Sequence, residues 1–157
     1  MKLNYEGRAR IIGREEEPNV MELCHLLHKE NGIFSMNDEK VKMMLAKAFN
    51  REGGILAGVG PPGKLEGLIY ILLSSFWYSD DPHFEELFLY VHPDHRKTRN
   101  AVELLKFAKW CADETGFPLF IGILSNHSTE RKELLYERQL HQNSNGKFFV
   151  YQGKKVA

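Results

Sequence analysis

No stretch of this 157-residue chain is apolar for long. The longest apolar run, around Leu68–Tyr78, falls well short of the ~20 residues a membrane-spanning helix needs. The opening residues MKLNYEGRARIIGREEE lack the apolar centre of a signal peptide, so a cytoplasmic location is expected. There is no excess of charge: Lys plus Arg number 21 and Asp plus Glu number 21, so no global field draws the chain to nucleic acid or a membrane surface. Any taste for anions must be local. Only two cysteines occur, Cys24 and Cys111, without metal-ligand spacing, and both sit in apolar helical patterns. They read as buried, reduced thiols. No internal repeat and no low-complexity tract is present, and the length suits a single domain over residues 1–157.

What remains is an alternation of strand and helix patterns. Arg8–Arg14 reads as a first strand, Val20–Asn31 as a helix with Val20, Leu23, Cys24 and Leu27 at the helical period, and Asn31-Gly32 as its stop. Asn37 caps a second helix carrying Val41, Met44, Leu45 and Ala48. Gly53–Gly60, Leu65–Ser79 and Phe84–His92 read as strands, the last apolar on both faces as expected of a covered sheet. A helix from about Asn100 to Thr115, closed by Gly116, follows; Asn100 with Glu103 makes a capping box, with Thr98 a rival start. Pro118–Leu124 is a strand, Thr129–Leu140 a helix and Lys147–Gln152 a last strand. Strand–helix–strand across 84–124 is a βαβ unit, so those two strands should be parallel neighbours with a right-handed crossover. The fold class is therefore α/β, a mixed, mostly antiparallel sheet flanked by helices.

One segment breaks a local rule. Arg96, Lys97 and Arg99 crowd the start of the third helix, where the macrodipole is positive and amide N–H groups lack partners. Each charge there costs roughly 0.3–1 kcal/mol. A bound anion resolves the conflict, held by amides, dipole and side chains together. A solvated basic loop is the bland alternative.

The element order, with Leu89-Tyr-Val91-His-Pro-Asp-His-Arg96 leading into the basic turn, resembles the GCN5-related N-acetyltransferase (GNAT) superfamily. The family signature is Arg or Gln, two residues, Gly, one residue, then Gly or Ala; here it reads Arg96-Lys97-Thr98-Arg99-Asn100-Ala101. Arg96 and Ala101 match, and Arg99 stands where the family has Gly. A glycine lets backbone approach the pyrophosphate with no Cβ in the way.

The resemblance implies acetyl-CoA as cosubstrate, no metal, and direct transfer of an acetyl group to a primary amine. It implies a splayed strand pair whose backbone, at Leu89 and Val91, pairs with the pantetheine arm. Arg96, Lys97, Thr98, Arg99, Asn100 and Ala101 would surround the pyrophosphate. Tyr136, in Leu135-Tyr136-Glu137-Arg138-Gln139-Leu140-His141, matches the family's proton-donating Tyr, although the Gly-Phe that follows there is replaced by Leu140-His141. Asn126 stands near the family's cofactor-facing Asn, ten residues before the Tyr, a longer spacing than usual. Glu85 and Glu86 lie near where some relatives place a catalytic carboxylate. Strand parity groups Glu85 with Leu87, Leu89 and Val91, and Glu86 with Phe88 and Tyr90, unless a bulge resets the phase.

Other residues carry weaker signals. His92 and His95 lack a third ligand for a metal. His25 and His28 read as a polar helix face, and Phe76-Trp77-Tyr78 as core, with the wall of an acceptor pocket as the alternative. The acceptor is an amine-bearing small molecule or a peptide; a homodimer is open and no membrane is involved. The competing reading is a non-catalytic GNAT-like module that binds phosphate-bearing ligands or nucleic acid, against which the zero net charge and lack of a basic stripe count.

Overall fold

A computed structural model describes residues 4–123, 125, 128–151 and 153. Five strands form one sheet in sequence order: β1 (Arg10–Ile11), β2 (Gly54–Val59), β3 (Gly67–Ser75), β4 (Pro82–Val91) and β5 (Leu119–Phe120). Neighbours run antiparallel up to β4, and β4 with β5 is the one parallel pair. The helices are α1 (Glu17–Asn31), α2 (Asp38–Phe49), α3 (Asn100–Thr115) and α4 (Thr129–Leu140). None of those described is long and apolar enough to cross a membrane.

Local chemistry explains most boundaries. α1 starts three residues before Val20 because Pro18 is tolerated in a helix's first turn. Asn37 caps α2 by accepting from the Lys40 amide at 3.1 Å. Gly116 ends α3 in the left-handed region at φ 73°. β1 is shorter than the pattern suggests because the chain bends into a turn at Arg14–Glu16, where Arg10 binds the buried Glu16 carboxylate and the Gly60 carbonyl.

The sheet is covered on both faces. Val20, Leu23, Cys24 and Leu45 from α1 and α2 pack on Leu56, Leu68, Tyr70 and Tyr90. Leu104, Phe107, Ala108 and Cys111 from α3 pack on Ala57, Ile69, Ile71, Phe84 and Val91. The two cysteines thus lie on opposite faces, buried and unbridged, and burial pushes their thiols up to about 11 and about 12.

Three more expectations change. The Phe76-Trp77-Tyr78 cluster is not core: the β3–β4 hairpin closes at Ser75↔Pro82, which leaves these rings in the loop, with Trp77 93% exposed. β5 ends at Phe120 rather than Leu124, because only two of its residues pair with β4. Residues 147–151 form no strand; Phe148, Phe149, Val150 and Tyr151 stay exposed with no ladder to join.

Candidate active site at the splayed strand pair

The turn between β4 and α3 is built from short local bonds. His92 Nδ1 accepts from the Asp94 amide at 3.2 Å, and the Thr98 hydroxyl donates to the His95 carbonyl at 2.6 Å. The same hydroxyl accepts the Asn100 amide at 3.2 Å, so Thr98 supplies the capping oxygen and the expected Asn100–Glu103 capping box does not form. Asn100 is fully buried, and its Nδ2 donates to Glu66 Oε2 at 2.7 Å. The inward pull of that carboxylate turns the Asn100 side chain away from any ligand outside the turn. Lys97 and Arg99 are exposed, and the amides of Lys97, Thr98, Arg99 and Ala101 donate to no acceptor among the described residues. These are the orphan donors of a helix start.

Arg96 is tied down. Its Nη2 meets both oxygens of Glu30 at 2.6 and 2.7 Å, and its Nε donates to the Val91 carbonyl at 3.1 Å. The guanidinium lies over the Tyr90 ring, 5.4 Å from its centroid, and the Tyr90 hydroxyl donates to Glu30 Oε1 at 3.2 Å. Burial and the Glu30 charge push Tyr90 up to about 12, with Arg96 opposing.

β4 and β5 pair only at Phe84↔Leu119 and Glu85↔Phe120, then part. Past that point β4 runs on to Val91 with no strand on its β5 side among the described residues. His92 donates to the Glu66 carbonyl on the β3 side, so the alternate residues Leu89 and Val91 turn their peptide groups into the gap. The Val91 carbonyl there carries Arg96; Leu89 has no such partner among the described residues.

At the closed end of the gap a bulge decides which carboxylate faces inward. The register passes from Tyr70↔Phe88 to Ile71↔Glu86, which leaves Leu87 as the extra residue. Glu86 therefore shares the α3 face with Leu89 and Val91, the reverse of simple alternation, while Glu85 turns to the other face and is exposed. Glu86 Oε2 accepts the Gly122 amide at 3.3 Å across the gap. Burial pushes its carboxyl up to about 7, against the Gly122 amide and Lys132. Tyr136 of α4 lies within the field of Glu86; burial first, then that charge, raises its hydroxyl well above the usual value of 10. Glu86 and Tyr136 thus interact electrostatically, and Glu85 faces the other side of the sheet. Asn126 lies outside the described residues.

A strand pair that opens beside a helix start, with two titratable groups at its closed end, invites comparison with known structures. A probable acetyltransferase shares 19% identity and a TM-score of 0.70, over 96% of this chain and 99% of that one. The ribosomal-protein-alanine N-acetyltransferase of Brucella melitensis biovar Abortus 2308 shares 15% and 0.68, over 94% and 97%. AAC(6')-Iy in complex with the bisubstrate analogue CoA-S-monomethyl-acetylneamine shares 12% and 0.70, over 96% and 100%.

The chain has the fold of the GCN5-related N-acetyltransferases. No protein-family model and no curated protein matches it. At these identities the likeness carries the GNAT architecture and nothing about an acceptor.

Within this GNAT fold, sequence reasoning passed over Glu30 and Lys132. Glu30 carried a signal: a carboxylate at a helix C-terminus opposes the dipole, the mirror image of cations at the α3 start. The two violations meet as one ion pair. Lys132 donates to Ser125 Oγ at 2.6 Å and feels Arg96, Glu30 and Glu86; burial lowers its ammonium first, then Arg96, with the two carboxylates opposing. No run of residues around Lys132 marks it. His25 joins Asp38 at 2.9 Å across α1 and α2, and His28 meets the Phe34 carbonyl at 2.6 Å, so both serve the helix pair. His92 and His95 stack edge-on at 5.7 Å, and no metal-binding cluster exists among the described residues.

Proposed function

We propose that this chain is an acetyl-CoA-dependent N-acetyltransferase that moves an acetyl group directly to a primary amine. The observation that carries the reading is the gap beside β4, lined by the outward peptide groups of Leu89 and Val91, with Glu86 at its closed end and Tyr136 within the field of that carboxylate. The orphan amides of Lys97, Thr98, Arg99 and Ala101 suit a diphosphate, with Lys97 and Arg99 adding charge. Leu89 suits an amide-bearing arm by strand addition. The donor would supply an activated thioester carbonyl; the chain's own residues do the rest.

Position is the first contribution, since holding amine and thioester together converts a bimolecular step into a near-unimolecular one. Proton traffic is the second. The amine enters the gap neutral, its ammonium proton having passed to water. As its nitrogen bonds the acetyl carbon and the C–S bond breaks, Glu86 takes the amine proton and Tyr136 gives one to sulfur. Glu86 then returns its proton to the Tyr136 oxygen, which balances the cycle. The two groups help each other. The Glu86 charge is part of what raises Tyr136, so a Glu86 that has taken a proton makes Tyr136 the stronger acid. A carboxyl near 7 is also poised for base work at neutral pH.

The test is calorimetry with acetyl-CoA and a free-thiol assay over an amine panel. Binding with amine-dependent thiol release is expected; no heat and no thermal shift at saturating acetyl-CoA would sink the reading. A second reading, a module that binds phosphate-bearing ligands or nucleic acid without transfer, is favoured by Arg99 in the glycine place. It predicts salt-dependent oligonucleotide binding whose slope falls when Lys97 is neutralised, and a flat salt response removes it.

A further inference from the structure

The sheet face just beyond the closed end of the gap is uncovered, and its chemistry is uneven. Glu85 and Phe120 are register partners on β4 and β5, so their side chains share one face, the face opposite α3. His83, two residues before Glu85, lies on that face too. Its ring stacks on Phe76 at 4.6 Å and meets the edge of Phe120 at 4.9 Å. Phe76 and Phe120 are themselves edge to face at 5.1 Å. The three rings make a fixed wall, with Phe76 and Phe120 39% and 46% exposed.

Carboxylates stand beside this wall. Glu85 is exposed and forms no ion pair among the described residues, nor do Asp80 and Asp81 in the adjoining hairpin loop. A second, independent oddity sits between the rings. His83 is 5% exposed, and its Nδ1 has no hydrogen-bond partner among the described residues. A buried nitrogen of this kind ordinarily has one.

Resting on the acyltransferase reading above, we infer that the acceptor is an arylalkylammonium compound whose ring lies on the Phe76–His83–Phe120 wall and whose nitrogen is drawn to Glu85 beside the gap. The wall attracts an aromatic body and, through ring faces, a cation. Unpaired carboxylates select the cation over a neutral body. Continuity does the rest: the gap begins where the Glu85↔Phe120 pair ends, so an amine held at Glu85 stands at its mouth. Polyamines and amino sugars gain the carboxylates but leave the rings unused.

The experiment compares tyramine and tryptamine with putrescine and neamine as acceptors for the full chain with acetyl-CoA, with CoA binding measured separately by calorimetry. The aromatic amines are expected to show KM at least about tenfold lower. Phe120→Ala and Glu85→Gln should each raise that KM about three- to tenfold while the Kd for CoA stays the same. Intact CoA binding with aromatic and aliphatic amines treated alike, or a neutral Phe120→Ala, overturns the inference and leaves the acyltransferase reading standing. Absent CoA binding overturns that reading instead. Self-association by sedimentation that Phe120→Ala abolishes, without discrimination among amines, assigns the wall to contact between copies and overturns the inference as well.

Discussion

The two ends of the β4 gap hold similar groups in opposite surroundings. At the open end Arg96 and Glu30 are partly wet and satisfy one another, while Lys97 and Arg99 reach into solvent. At the closed end Glu86 and Tyr136 are partly buried, and that burial pushes both towards their protonated forms. A carboxylate beside a guanidinium is a clasp; a carboxylate beside buried apolar surface and a phenol is a proton acceptor. On the proposed reading, dielectric more than residue type separates binding from chemistry. Substitutions at the two ends should therefore fail in different ways, with turnover lost at one end and affinity altered at the other.

The sharpest division is expected from Tyr136→Phe. Removing one hydroxyl should lower kcat by roughly 10²–10³-fold, the scale of a lost general acid, with the Kd for CoA within about twofold. Steady-state rates beside calorimetry check this, and unaltered kcat with a good acceptor takes Tyr136 out of the acid role. Glu86→Gln comes next, with a loss of about tenfold to a hundredfold above pH 8. Wild-type kcat should climb with pH through about 7 as Glu86 ionises, and the variant should lose that limb. Stability moves the other way. The unfolded chain releases this proton near 4.5 and the folded chain near 7, so between those values the fold holds more protons and weakens as pH rises. Glu86→Gln should abolish that decline, worth at most about 3 kcal/mol, and chemical denaturation at pH 5 and pH 8 measures it.

Much of this geometry is legible in the sequence, and the reasons differ by element. Asn37, Gly116 and the 3.6-residue periods act locally, so α2, α3 and α4 could be read from neighbours in the chain. The parallel β4–β5 pair followed from the βαβ order alone. Long-range facts were another matter. Which of Glu85 and Glu86 faces the gap turns on a bulge opposite Tyr70 and Ile71, which no alternation rule foretells. Asn100 looked like a cap until Glu66, thirty-four residues away, claimed its amide. The aromatic run at 76–78 looked like core because rings usually are, yet a hairpin closing at Ser75 left it outside. The Arg96–Glu30 clasp was half visible, since each residue opposes its own helix dipole.

That clasp is the next place to press the comparison. While Glu30 holds Arg96 on both Nη2 contacts, the guanidinium is not free to turn towards a diphosphate. Glu30→Gln keeps the shape, removes the charge and releases Arg96. CoA should bind about three- to tenfold tighter, the worth of one partly exposed ion pair shifted to a new partner. kcat should stay within about twofold, because neither Glu86 nor Tyr136 is touched. A drop in CoA affinity would mean instead that the clasp braces the turn, which calorimetry reads directly.

The smallest effect tests the glycine place. Arg99 precedes α3 at φ −88°, an ordinary backbone angle, so nothing in the conformation demands glycine there. Its side chain is exposed and points into no protein partner among the described residues. Arg99→Gly then removes one positive charge near the orphan amides and relieves no strain. Weaker CoA binding by about two- to fivefold is expected, shrinking as salt is raised towards 1 M because exposed charges are screened. Tighter binding would reverse the assignment: the Cβ and side chain of Arg99 would then obstruct the diphosphate, and the charge at this end would be incidental to a site made of backbone.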